Sequence, residues 1–161
     1  MQELSEAQKE AYARAKNSVV DLFSFELRHS TFPEPIRYIS YDLDVPVELE
    51  EFAPANPGET VMFIGVSFKE PPETIDTEPG NTIPVAVSGI SAQALPYLNV
   101  ANETLEPIAC TVRWVAFDTK TSEVLGVGRP AEMQVLNFKT KLLLLQITLG
   151  FTNLNSRTLN V

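Results

Sequence analysis

Few side chains in this sequence are suited to chemistry, and most of those lie in one stretch. Asp42, Asp44, Glu48, Glu50 and Glu51 form an acidic row, interleaved for most of its length with apolar residues. Carboxylates at alternate strand positions share one face, so such a row could hold a hard cation or cleave a glycoside as an acid–base pair. Calcium needs roughly six to eight converging oxygens from an irregular loop, which a flat strand does not offer. No cluster of sugar-binding aromatic residues accompanies the row, and a solvated face is the plainer reading.

His29 is the sole histidine, so neither a Ser-His-Asp nor a Cys-His arrangement has a spare base. It continues the face of Phe25 and Leu27, which predicts a partly buried structural histidine. Cys110, the sole cysteine, sits among apolar strand residues and reads as a small buried hydrophobe rather than a nucleophile. It excludes an intramolecular disulfide and a cysteine-rich zinc site. Gly126-Val127-Gly128 lacks the third glycine and the helix of a dinucleotide turn, and there is neither a P-loop nor an HExxH. No cofactor or metal is expected, and an enzyme has no positive support.

The elements that must carry these residues are mostly strands. Positions 39–49 alternate strictly, with Ile39, Tyr41, Leu43, Val45, Val47 and Leu49 apolar, which predicts a half-buried strand. Pro46 cannot donate to a ladder, so this strand lies at a sheet edge or breaks into two pieces. Residues 25–29 alternate likewise, and Phe32-Pro33-Glu34-Pro35 is a rigid corner between the two strands. Residues 52–60 are a loop by their proline and glycine content, and 61–68 are apolar enough for a central strand buried on both faces. A strand over 85–90 leads to a short helix from Ser91 through Asn102, bent or shortened by Pro96. Residues 108–117 and 124–127 read as a hairpin, and 131–138 with 142–151 as another. Leu4, Ala7, Ala11, Ala15 and Val19 give the first twenty residues a shallow helical stripe, which docks on its own domain or on a neighbouring subunit. The segment 69–84 holds Pro71, Pro72, Pro79, Gly80 and Pro84 and reads as an exposed arm or a plain solvated loop.

With 161 residues the chain makes one domain with a real core, here residues 24–161, preceded by an arm over 1–23. The net charge of −9 is concentrated early, since residues 1–60 hold twelve acidic and five basic residues. Such a surface disfavours nucleic acid and anionic membranes. The acidic N-terminus is no signal peptide, and the longest apolar run, residues 142–145, is far short of a membrane span. A soluble product made in a reducing cytoplasm is expected.

The run Leu27-Arg28-His29-Ser30-Thr31-Phe32-Pro33-Glu34-Pro35-Ile36-Arg37 resembles the opening of a family of minor tail proteins from long-tailed bacteriophages, catalogued as a domain of unknown function. A second block, where the strand over 85–90 runs into a helix bearing Leu95 and Leu98, resembles the same family. The resemblance implies a mainly β (α+β) fold, an antiparallel sandwich or barrel like those of tail-tube and distal-tail domains, with an N-terminal and a short central helix. It implies a virion protein of the tail tip or baseplate, a trimeric or hexameric ring-forming adaptor between tail tube and hub. Its partners would be the tail tube, the hub and the tape measure. Pro46, Pro71, Pro72, Ile75 and Pro79 would make inter-subunit contacts, and Asp42, Asp44, Glu48 and Glu50 would line the passage for DNA and repel its phosphates. The chain departs from the family in its helical leader and in its ending, 155–161, which lacks an aromatic and proline tail. The alternatives are a tail assembly factor, or a β-sandwich module binding protein or carbohydrate through an aromatic platform drawn from Tyr38, Tyr41, Tyr97 or Trp114.

Overall fold

A computed structural model describes residues 18–68, 82–88, 91–141 and 144–151. Strands account for 57% of these residues and a single helix is found among them, so the chain is mainly β. The strands are β1 (Val19–Arg28), β2 (Ile36–Ile39), β3 (Val45–Glu48), β4 (Thr60–Gly65), β5 (Ser67–Phe68), β6 (Thr82–Ser88), β7 (Ala109–Asp118), β8 (Glu123–Val127), β9 (Ala131–Lys141) and β10 (Leu144–Phe151). The helix, α1, is Ser91–Asn102 and continues through Pro96.

The long strand β1 is the hub. It pairs antiparallel with β7 over its whole length, from Val19 opposite Asp118 to Arg28 opposite Ala109, and with β2 on its other edge. Alternation then sorts its side chains: Phe23, Phe25 and Leu27 enter one apolar cluster, while Leu22 enters another on the opposite face. Val19–Phe23 are therefore strand, and the domain boundary drawn at residue 23 falls inside β1. Residues 1–17, which hold nearly all of the expected helical arm, lie outside the described residues.

The sheet runs β3-β4-β2-β1-β7-β9-β10-β6-β5, with β8 beside β7. Its two distant regions are joined through one residue, Val66, which separates β4 from β5. Gly65 pairs with Ile39 of β2, whereas Ser67 pairs with Ser88 of β6. Chain continuity over Val66 thus curls the sheet back on itself into a barrel. Ring packing agrees: Phe68 of β5 meets Phe23 and Phe25 of β1 edge-on, at 5.5 and 5.8 Å between centroids. Inside lie Phe23, Phe25, Leu27, Val85, Ile147 and Leu149, and α1 adds Ala94, Leu98 and Ala101 to the same core.

A purely antiparallel arrangement does not hold, because β2 and β4 are parallel. The chain reverses over residues 40–44, runs back as β3, and returns through the hairpin as β4. The returning strand takes the place beside β2 and leaves β3 outermost. The expected strand over 39–49 is accordingly two strands with a turn between them, and Leu43, 65% exposed, is where its alternation fails. Nor is the 61–68 strand buried on both faces along its length, since Met62 is 55% exposed. Its near-continuous apolar character has a different cause. Val61 and Phe63 pack into the outer cluster, and Ile64, Val66 and Phe68 into the barrel.

The β3–β4 hairpin, with the loop of residues 49–59, forms a flap over the outer face of β1, β2, β7 and β8. Val45, Val47 and Phe63 from the flap bury against Leu22, Ile39 and Val115 of the sheet. At about 25 cal/mol per Å² of buried apolar surface, a fully buried phenylalanine such as Phe63 contributes roughly 2 to 3 kcal/mol.

Candidate functional site

Beneath the flap, the outer face of β1 and β7 carries charge where a sheet covered by another layer would ordinarily carry apolar residues. Glu26 and Arg113 are both fully buried. Alternation places them there: Glu26 lies between the inward Phe25 and Leu27, and Arg113 is opposite Ser24 on the neighbouring strand. Burying charge is costly unless it is paired and hydrogen-bonded. Glu26 meets that cost with Arg28 Nη1 at 2.7 Å and Arg37 Nε at 2.6 Å. Arg113 donates through Nε and Nη2 to the two carboxylate oxygens of Glu50, each at 3.0 Å, a bidentate fork. Its Nη1 makes no hydrogen bond and faces Glu26 Oε1 at 3.9 Å.

The network spreads outward from this pair. Arg28 donates to Thr111 Oγ1 and to Glu132 of β9, and Arg37 to Asn56 Oδ1 at 2.7 Å. Asn56 in turn donates to Glu59. Asn56 has φ of 54°, a left-handed backbone that asparagine tolerates better than most residues. The arrangement is a clamp: Glu50 and Asn56 of the flap loop are tied to arginines of the barrel wall, and Glu59 is tied to Asn56. Chemically it offers paired ions, not an open cleft with an unpaired nucleophile.

The acidic row therefore divides. Glu50 is engaged by Arg113. Asp44 accepts the Gly65 amide at 2.9 Å and fastens the 40–44 turn to β4. That turn lies so close that a Cβ on Gly65 would stand 2.4 Å from the Leu43 carbonyl oxygen, so this position admits only glycine. Asp42 and Glu48 are exposed, as is Glu51. The acids do not converge, and among the described residues no group of three or more His, Cys, Asp or Glu could hold a metal ion.

Pro46 lies on β3, the terminal strand, as its missing N–H predicts. It is opposite Met62, and both are exposed on the outward face of the hairpin. Pro71, Pro72, Ile75 and Pro79 lie outside the described residues.

The residues of the proline corner act as fasteners. The His29 ring is completely enclosed. Its Nδ1 accepts the Thr31 amide, so Nε2 carries the proton and donates to the Glu106 carbonyl at 3.1 Å. Ser30 donates its amide and hydroxyl to the Glu106 carboxylate, which holds that carboxyl below its usual range. The corner is thereby tied to the segment that enters β7, and it borders a shallow cavity of about 450 Å³ with Arg28, Phe32, Pro33 and Pro107 among its walls. Cys110 is fully buried, and burial pushes its thiol far above the ordinary range, so it is no nucleophile.

Tyr38 is buried against Phe25, and Trp114 packs on Phe23 from the half-buried wall of the barrel. Tyr41 packs tilted against Phe117, with 4.7 Å between ring centroids. Of the four aromatics nominated for a sugar platform, only Tyr97 is exposed. Sequence reasoning missed the Glu26–Arg113 clamp, although an acid and a base inside two of the most apolar strands, two positions out of register on neighbouring strands, were its visible signal. Compared with known proteins, the chain matches no family model and no curated protein.

Proposed function

We propose that this chain is a structural subunit of a bacteriophage tail tip or baseplate, a ring-forming adaptor seated between tail tube and hub. What supports a seat between other tail proteins, beside the resemblance in residues 27–37, is the outward face of the flap. Pro46 and Met62 stand exposed side by side there, with Leu43 at one end of the hairpin and Phe52, 73% exposed, beyond the other. Solvent-exposed apolar side chains grouped on one element mark a contact surface. The edge of β3 is short and carries a proline, a protected edge, so contact is made by this face and not by strand addition.

The test is electron microscopy of particles from a lysate of the source, labelled with antibody to this chain. Gold confined to the tail end is the expected result. Particles without label would withdraw the reading. A sugar-binding module has no comparable support, because the aromatic residues it would need are mostly taken up by the cores.

A further inference from the structure

The flap carries a one-sided charge as well as an apolar face. Between Arg37 and Lys69 the chain has no lysine or arginine but six carboxylates: Asp42, Asp44, Glu48, Glu50, Glu51 and Glu59. Glu50 alone of these is neutralised from below, by Arg113. The other arginines of the clamp, Arg28 and Arg37, are engaged by Glu26. Among the described residues no lysine or arginine side chain pairs with Asp42, Asp44 or Glu48. At the base of the flap, a cavity of about 580 Å³ is bordered by Asp21 and Asp42 together with Leu22, Tyr41 and Phe68. Apolar side chains ringed by unneutralised carboxylates select a partner that is both apolar and cationic.

From this combination we infer that the outward face of the flap docks a basic, amphipathic segment of another protein. Its apolar side chains lie over Pro46, Met62 and Phe52, and its lysines or arginines face Asp42 and Glu48. A second copy of this chain is a poorer occupant, because its net charge of −9 opposes close approach to an acidic face. The inference names the partner of the surface invoked for the tail-tip reading and rests on that reading only in treating the flap as a contact surface.

The probe is a fluorescein-labelled amphipathic peptide of about 18 residues of leucine and lysine, long enough to form a helix, titrated onto the full chain. A counterpart with glutamate for lysine is the control. The lysine peptide should bind, and bind less well at high salt. Met62→Gln and the pair Asp42→Asn with Glu48→Gln should each weaken it about tenfold, the scale of a lost contact residue. Leu136→Ser, on β9 away from the flap, should change it less than about twofold at the same scale of measurement. All these side chains are exposed, so the variants should melt with the parent. Equal binding of the glutamate peptide, undiminished binding by Met62→Gln, or an equal loss in Leu136→Ser would overturn the inference. So would self-association of the chain that Met62→Gln abolishes without any peptide binding, since a second copy would then own the face. Failure here leaves particle labelling unaffected, and unlabelled particles with intact peptide binding would remove the tail-tip reading alone.

Discussion

Three charged residues tie the flap to the barrel beside the apolar contacts of Val45, Val47 and Phe63. Arg113 is fully buried with its guanidinium shared between Glu50 and Glu26. Removing one member of a buried pair leaves the other charge uncompensated, at about 3 to 5 kcal/mol. Arg113→Met should lower the unfolding free energy by that order, measured by urea denaturation. Adding Glu50→Leu should recover part of the loss, because the orphaned charge goes with it; a strictly additive double variant would show that the pair is not coupled. Cys110 makes a second prediction at this scale. Its folded-state thiol is pushed above the ordinary value near 9, so its contribution is fully present below pH 9 and is lost as the pH rises beyond it. The slope there is up to ~1.4 kcal/mol per pH unit. Stability measured from pH 8 to 10 should therefore fall for the parent and stay flatter for Cys110→Ala. The burial of Cys110 was readable from its neighbours, and so was that of His29. The clamp was not, because residue type cannot say which of several strand faces another layer will cover.

The element whose placement decides the surface is the β3–β4 hairpin. Its turn at 40–44 rests against Gly65, where any side chain would strike backbone carbonyls of Tyr41 and Leu43. Gly65→Ala should force the turn away from β4, expose the outer cluster around Phe63 and lower stability by about 1 to 3 kcal/mol, the usual scale of overpacking. Protease accessibility of residues 40–44 should rise with it; an unchanged digestion pattern would show the turn to be more compliant than its contacts imply. The hairpin of β7 with β8 was legible from its β-branched and aromatic residues and its polar turn, that of β9 with β10 from period-two alternation in its second strand, α1 from its Ser91 cap, and the edge position of Pro46 from its missing N–H. The parallel pairing of β2 with β4 was not. Alternation survives through residues 39–41 and 45–49 on either side of a turn, so the apolar pattern looks continuous where the chain in fact reverses. The same blindness affected the 61–68 strand, whose unbroken apolar run reflects two cores in succession and not one core on both sides.

For the whole molecule, composition and strand spacing led correctly to a mainly β domain, but the closing of the sheet depended on a single bent strand that no periodicity announces. Val66 stands between a residue paired with β2 and one paired with β6, so one length of backbone belongs to both margins of the sheet. Neither margin can then open alone. Amide hydrogen exchange in β2 and β6, which are never neighbours in the ladder, should proceed with the same opening free energy and shift together when Val66→Gly loosens the bend. Separate opening energies would mean that the bend acts as a hinge between independent halves. The shared strand makes the barrel behave like a loop of rope spliced at one point: the load is borne around the whole circuit, and slack at the splice is felt everywhere.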